Sequence, residues 1–151
     1  MKYLHTMVRI SNLEASLDFY CTKLGMTEIR RYDSEAGTFT NVFLTADENE
    51  QSAKETSAPI LELTYNWPDA EGHTEQYTNG RNFGHLAYEV AHIYQTCQKL
   101  IEAGVTINRP PKDGKMAFIK SPDGVSVEIL QAGEALPTAE PWVSMKNIGT
   151  W

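Results

Sequence analysis

The chain begins in one way and then begins again. Leu4-His5-Thr6-Met7-Val8-Arg9 sets a histidine in an apolar run, and so does Phe83-Gly84-His85-Leu86-Ala87-Tyr88. Each is answered later by an apolar run holding a glutamate, Leu61-Glu62-Leu63-Thr64-Tyr65-Asn66-Trp67 and Val127-Glu128-Ile129-Leu130. The distance from histidine to the next helical stripe is the same in both halves: eight residues from His5 to Leu13 and eight from His85 to Ile93. The glycine that stops the helix follows His5 by twenty residues (Gly25) and His85 by nineteen (Gly104). His5 precedes Glu62 by 57 residues and His85 precedes Glu128 by 43, the excess falling in a longer hairpin and a polar loop at 47–57. A repeat of this kind means two copies of one small unit that bury their cores by pairing.

Within the first copy, residues 2–10 read as a strand and Asn12 as the cap of a helix. Leu13, Leu17, Tyr20 and Leu24 form its core stripe and Gly25 its stop. Strands follow at 27–32 and 38–46 around the turn Ser34-Glu35-Ala36-Gly37, and Pro59 leads into a strand from Ile60 to Asn66. The second copy gives a strand at 83–90 and a helix at 92–103 with Ile93, Cys97, Leu100 and Ile101 on one face. A short strand at Val105–Asn108 and a stiff loop through Pro110-Pro111 come next. Strands at Met116–Lys120 and Val125–Gln131 flank the turn Ser121-Pro122-Asp123-Gly124. The expected class is α+β, two β-α-β-β-β modules at 1–67 and 82–131. A polar linker at 68–81, with Gly72, Asn79 and Gly80, joins them. A tail at 132–151 carries Trp142 and Trp151, whose size argues that it docks.

The two glutamates carry the functional argument. An ionised carboxylate between two apolar residues costs several kcal/mol to desolvate unless it is paired or holds a metal. The alternative partner for either one is an arginine, Arg9 or Arg81. Two histidines and two glutamates, His5, Glu62, His85 and Glu128, are the donor set that a borderline divalent cation takes. His73, in the polar linker, and His92, at a helix start, read as structural or solvated.

Composition closes off other classes. The 20 acidic against 13 basic side chains give a net charge of −7, which argues against nucleic acid or an anionic membrane as partner. Cys21 and Cys97 both fall in helical segments and read as reduced, buried thiols. No leader and no bilayer-length apolar run is evident, so a cytoplasmic protein is expected.

Several of these stretches together are similar to glyoxalase I, the lactoylglutathione lyases of the vicinal-oxygen-chelate superfamily. They are His5-Thr6-Met7-Val8-Arg9, the helix with Ser16-Leu17-Asp18-Phe19-Tyr20, Leu61 to Trp67, Gly80-Arg81-Asn82-Phe83-Gly84-His85, Asp113-Gly114-Lys115-Met116, and Ser121-Pro122-Asp123-Gly124 with Val127-Glu128-Ile129. The likeness runs in unbroken order from about residue 2 to 131, and Leu61 to Trp67 is its most specific part. It implies paired modules in a homodimer with active sites at the subunit interface. Each site would hold one divalent metal on His5 and Glu62 of one chain and His85 and Glu128 of the other, with nickel or cobalt favoured by a small margin and zinc open. The implied reaction isomerises the hemithioacetal of methylglyoxal and glutathione to S-D-lactoylglutathione through a cis-enediolate on the metal. Glu128 is the first choice of base, with Glu62 assisting or serving the other diastereomer. Arg9, Asn66, Arg81 and Arg109 stand where the family holds glutathione, the co-substrate, and Met116 and Phe118 would line the pocket for the methyl group. Two features depart from the pattern: a short stretch between Lys115 and Phe118 in place of a longer lid, and the tryptophan-bearing tail.

Competing readings on the same scaffold are an epimerase, a glutathione-type transferase, an extradiol dioxygenase and a non-catalytic small-molecule-binding protein. A dioxygenase takes two histidines and one carboxylate with iron, and the fourth ligand argues against it. The binding proteins lack metal ligands, so bound metal separates them from the enzymes.

Overall fold

The structure is a computed structural model that describes residues 1–46, 51, 53, 60–78 and 80–151. Most of the polar loop expected at 47–57, Pro59, and Asn79 of the linker lie outside the described residues. The chain divides into two compact units, Met1–Thr78 and Asn79–Trp151.

In the first unit the strands are β1 (His5–Ile10), β2 (Met26–Ser34), β3 (Phe39–Ala46) and β4 (Ile60–Asn66), in the sheet order β1-β4-β3-β2. The first and last strands lie side by side and parallel, with Met7 opposite Glu62, while β2-β3 and β3-β4 are antiparallel. A parallel pair needs a crossover, supplied here by the helix and hairpin between them. Helix α1 (Leu13–Leu17) starts at Asn12, whose side chain accepts the Ala15 N–H at 2.9 Å. It continues as a π-helical turn over Asp18–Lys23 and ends at Gly25, φ 76°. The wider turn changes the phase of the helix. The fully buried residues become Ser16, Phe19 and Tyr20, while Leu13 and Leu17 of the expected stripe are half-buried and line an open groove with Cys21.

The second unit repeats the plan with strands β5 (His85–Val90), β6 (Met116–Lys120) and β7 (Ser126–Gln131), in the order β5-β7-β6. Here β5 and β7 are parallel, with Ala87 opposite Glu128, and β6-β7 is antiparallel. Helix α2 (Ile93–Glu102) is capped by His92, whose side chain accepts the Gln95 N–H. Ile93, Cys97 and Leu100 are its buried face; Ile101, expected there, is 38% exposed. The strand expected at Val105–Asn108 does not form. Its place is taken by a single antiparallel bridge, Arg109 to Phe118. Pro110 and Pro111 follow at once and have no N–H to extend a ladder.

The tail packs on its own unit. Leu136 N–H donates to the Gly114 carbonyl at 3.0 Å, and a Cβ on Gly114 would lie 2.0 Å from the Leu136 oxygen. Trp142 is buried and stacked on Tyr94 of α2, centroids 5.9 Å apart. Ile148 exchanges hydrogen bonds with Asn108, and Trp151 lies 6.3 Å from the ring of Phe118. Among the described residues no helix is long and apolar enough to cross a membrane.

Candidate metal centre

Side chains two apart along a strand share a face, and β1 splits cleanly on that rule. Val8 and Ile10 are buried beneath the sheet, while His5, Met7 and Arg9 are exposed on the other side. Glu62 lies opposite Met7 and Phe43 opposite Glu62, so this open face collects His5, Glu62 and Phe43. His5 Nε2 is 3.0 Å from Glu62 Oε2, and the His5 ring meets Phe43 edge-on at 6.3 Å. Asn41, two residues before Phe43, donates its amide N–H to Glu62 Oε1 at 2.6 Å.

The same construction recurs in the second unit. Glu128 lies opposite Ala87 on one side and Phe118 on the other. His85 Nε2 is 3.2 Å from Glu128 Oε2, and the ring of His85 meets Phe118 edge-on at 5.4 Å. The side chains of Glu62 and Glu128 are 11% and 13% exposed, those of His5 and His85 40% and 43%. Each pair is thus a nearly buried carboxylate braced against a half-open imidazole.

These separations suit a shared cation. Two ligand atoms each about 2.1 Å from one divalent ion, at right angles, lie about 3.0 Å apart. Nitrogen from imidazole and oxygen from carboxylate is also the donor mix such ions accept. The other cluster of donor groups among the described residues, Asp69, Glu71 and His73, is fully exposed. It is a turn clasp. Asp69 accepts the backbone N–H of His73 at 2.8 Å and of Glu71 at 3.1 Å, and these bonds, that from His73 foremost, hold its carboxyl below the usual range.

The remaining expected site residues are distributed as follows. Arg9 and Asn66 lie in the first unit, Arg9 exposed on the face of His5. The Asn66 amide donates to Glu75 at 2.6 Å, and Tyr77 OH donates to the same carboxylate at 3.1 Å. Partial burial, then the bond to Glu75 and the charge of Glu75, raise the Tyr77 phenol, against a lowering by Arg9. In the second unit Arg81 is exposed ahead of β5, and Phe118 and Met116 share the face of Glu128. Arg109 is tied inward: its guanidinium donates to Asp113 at 2.8 Å and to the Met116 carbonyl. Burial pushes the Asp113 carboxyl up, but the bonds from Arg109, Lys115 N–H and Met116 N–H bring it below its ordinary value. The glutamates take His5, Asn41 and His85 as partners, and the arginine pairing weighed for them is not adopted among the described residues.

Asn41 and Phe43 escaped the reading of the sequence. A signal for Phe43 was present, since Phe118 is its counterpart in the repeat. The unequal hairpin lengths hid the match, with Phe43 19 residues before Glu62 and Phe118 only ten before Glu128.

The chain is similar over most of its length to proteins of one kind. It is 40% identical over 136 residues to a lactoylglutathione lyase of Neisseria meningitidis, covering 87% of this chain and 91% of that protein. It is 38% identical to a probable lactoylglutathione lyase of Synechocystis, covering 87% and 95%. The trypanothione-dependent glyoxalase I of Leishmania major superposes with a TM-score of 0.74 at 32% identity, over 87% of this chain and 86% of that one. Residues 2–129 match the profile described as the Glyoxalase/Bleomycin resistance protein/Dioxygenase superfamily, and the chain belongs to that family.

Proposed function

We infer that the chain is a metal-dependent lactoylglutathione lyase, converting the hemithioacetal of methylglyoxal and glutathione to S-D-lactoylglutathione. The observation that carries this reading is the doubled His–Glu pair, found in a chain 38–40% identical to lyases of that name. Four protein ligands, His5 and Glu62 from one chain with His85 and Glu128 from a second copy, would hold one divalent ion at each of two interface sites in a homodimer. Nickel or cobalt is preferred and zinc is the alternative. An ion held there would supply Lewis acidity toward the negative charge that develops on the substrate oxygens when a C–H bond is broken.

The rest falls to the chain's own groups. A carboxylate takes the proton from one carbon and returns it to the neighbouring carbon, so no net proton is lost. Glu128 is assigned that role, with Glu62 assisting. Arg9, Asn66, Arg81 and Arg109 meet the carboxylates and peptide groups of glutathione, which a chain of net charge −7 must do with local cations. For Arg109 this requires the guanidinium to keep Asp113 as a partner while it turns toward the ligand. Met116 and Phe118 bound the methyl end. A cytoplasmic location fits a reaction fed by glutathione.

The test is absorbance at the thioester band after mixing protein, glutathione and methylglyoxal, with nickel, cobalt and zinc added in turn to chelated protein. Metal-dependent growth of the band is expected. Failure with all three metals removes the reading. Trypanothione in place of glutathione tests the thiol.

A further inference from the structure

The two His–Glu pairs match atom for atom, yet their surroundings differ at one position. Asn41 sits two residues before Phe43 and reaches diagonally across the β3-β4 ladder to Glu62 Oε1, 2.6 Å away. With His5 on Oε2, both oxygens of Glu62 are engaged. The same position in the second unit, two before Phe118, is Met116, whose side chain has no N–H to give. The asymmetry has a price inside the first unit. The side-chain carbonyl oxygen of Asn41 is buried and has no hydrogen-bond partner among the described residues. An orphaned buried carbonyl is destabilising, and it offsets part of what the bond to Glu62 contributes to the fold. The amide cannot relieve this by turning over, because its oxygen would then face the carboxylate oxygen of Glu62.

We infer that Asn41 is a positioning residue. It holds Glu62 in one orientation as a metal ligand, and so leaves the larger share of the proton-moving work to Glu128. The inference rests on the lyase reading above for its metal. It explains why two carboxylates in matched frames would not share one role equally: outer groups that lock a ligand raise metal affinity, and a locked carboxylate swings less readily to a carbon atom.

The experiment compares the wild-type chain with Asn41→Leu, which keeps the volume and removes both the N–H and the orphaned carbonyl. Two quantities are read: nickel affinity, by calorimetric titration of the chelated protein with nickel alone, and the melting temperature of the metal-free protein. Asn41→Leu is expected to weaken nickel binding about 10- to 100-fold while the melting temperature changes little, since the lost bond to Glu62 and the removed orphan oppose each other. A structural amide would give the opposite pattern, a lower melting temperature with affinity intact, and that result overturns the inference. So does a variant that fails to fold. Equal nickel affinity in both chains removes the inference and leaves the lyase reading standing. A wild-type chain that binds no nickel, cobalt or zinc removes both. A second arm uses activity. Glu128→Gln alone should be nearly inactive, and adding Asn41→Leu to it should raise the rate by freeing Glu62. A double variant no faster than Glu128→Gln overturns the division of roles.

Discussion

The two units place the same three groups at the same register, a histidine on the first strand, a glutamate on the last and a phenylalanine on the strand beside it. What surrounds those groups diverges. In the first unit the Phe43 ring carries the Arg30 guanidinium 3.8 Å above its centroid, and Asn41, Arg9 and Asn66 belong to the same sheet. In the second, Phe118 has Trp151 beside it, and Met116 and Leu130 form the neighbouring cross-strand pair. The first frame sets an amide against its carboxylate and a guanidinium over its phenylalanine, and the second has a thioether and an indole in those places. A duplicated unit can thus keep its ligand geometry in the backbone register and change its substrate chemistry in the residues one step outside.

The largest expected effects would break the equivalence of the glutamates. Glu128→Gln should lower kcat by about 10²- to 10⁴-fold with metal still bound. Glu62→Gln should act first on metal affinity. Metal content measured on both purified variants, beside steady-state rates, separates the two; equal losses of kcat with metal retained in both would mean the units are interchangeable.

Next in size is the support peculiar to the second unit. Trp142→Ala removes a buried ring from between the tail and α2 and should destabilise by about 3–5 kcal/mol, read from urea unfolding. An unchanged midpoint would mean that the tail contributes nothing to the unit it covers. Smaller again is the cation over Phe43. Arg30→Met keeps the stem and loses the charge, and should cost about 0.5–1 kcal/mol.

The smallest effect concerns the buried thiol of α2. Burial pushes the Cys97 thiol up to about 12. In the unfolded chain it ionises near 9.0, so the unfolded state loses its proton first, and stability should fall as pH rises from about 9 toward 12. The same shift keeps the native thiol unreactive. Iodoacetamide at pH 8 should leave Cys97 unmodified until denaturant is added, and rapid native labelling would contradict its burial.

Much of the frame was legible because period-two patterning and the repeat are local signals. His5, Glu62, His85 and Glu128 stood out as polar residues in apolar strands, and Asn12, Gly25 and Gly104 marked the helix ends. Three features were not legible. The π-helical turn at Asp18–Lys23 follows from packing, which pulls Phe19 and Tyr20 inward at the expense of Leu13 and Leu17. The strand at Val105–Asn108 had the right composition but no room to extend, since Pro110 ends the pairing after one bridge. The Asn41–Glu62 bond joins residues 21 apart in sequence. Nothing in a run of Thr40-Asn41-Val42 announces that its amide faces a carboxylate rather than water.

The order of strands has one more consequence. In each unit the imidazole belongs to the opening strand and the carboxylate to the closing one, so every such contact shuts a loop of most of the unit's length. Contacts between distant ends carry a larger loop-closure cost than those within a hairpin. A half-finished chain therefore offers an ion no chelate, and a cation captured at these residues would act as a seal set only on completed molecules.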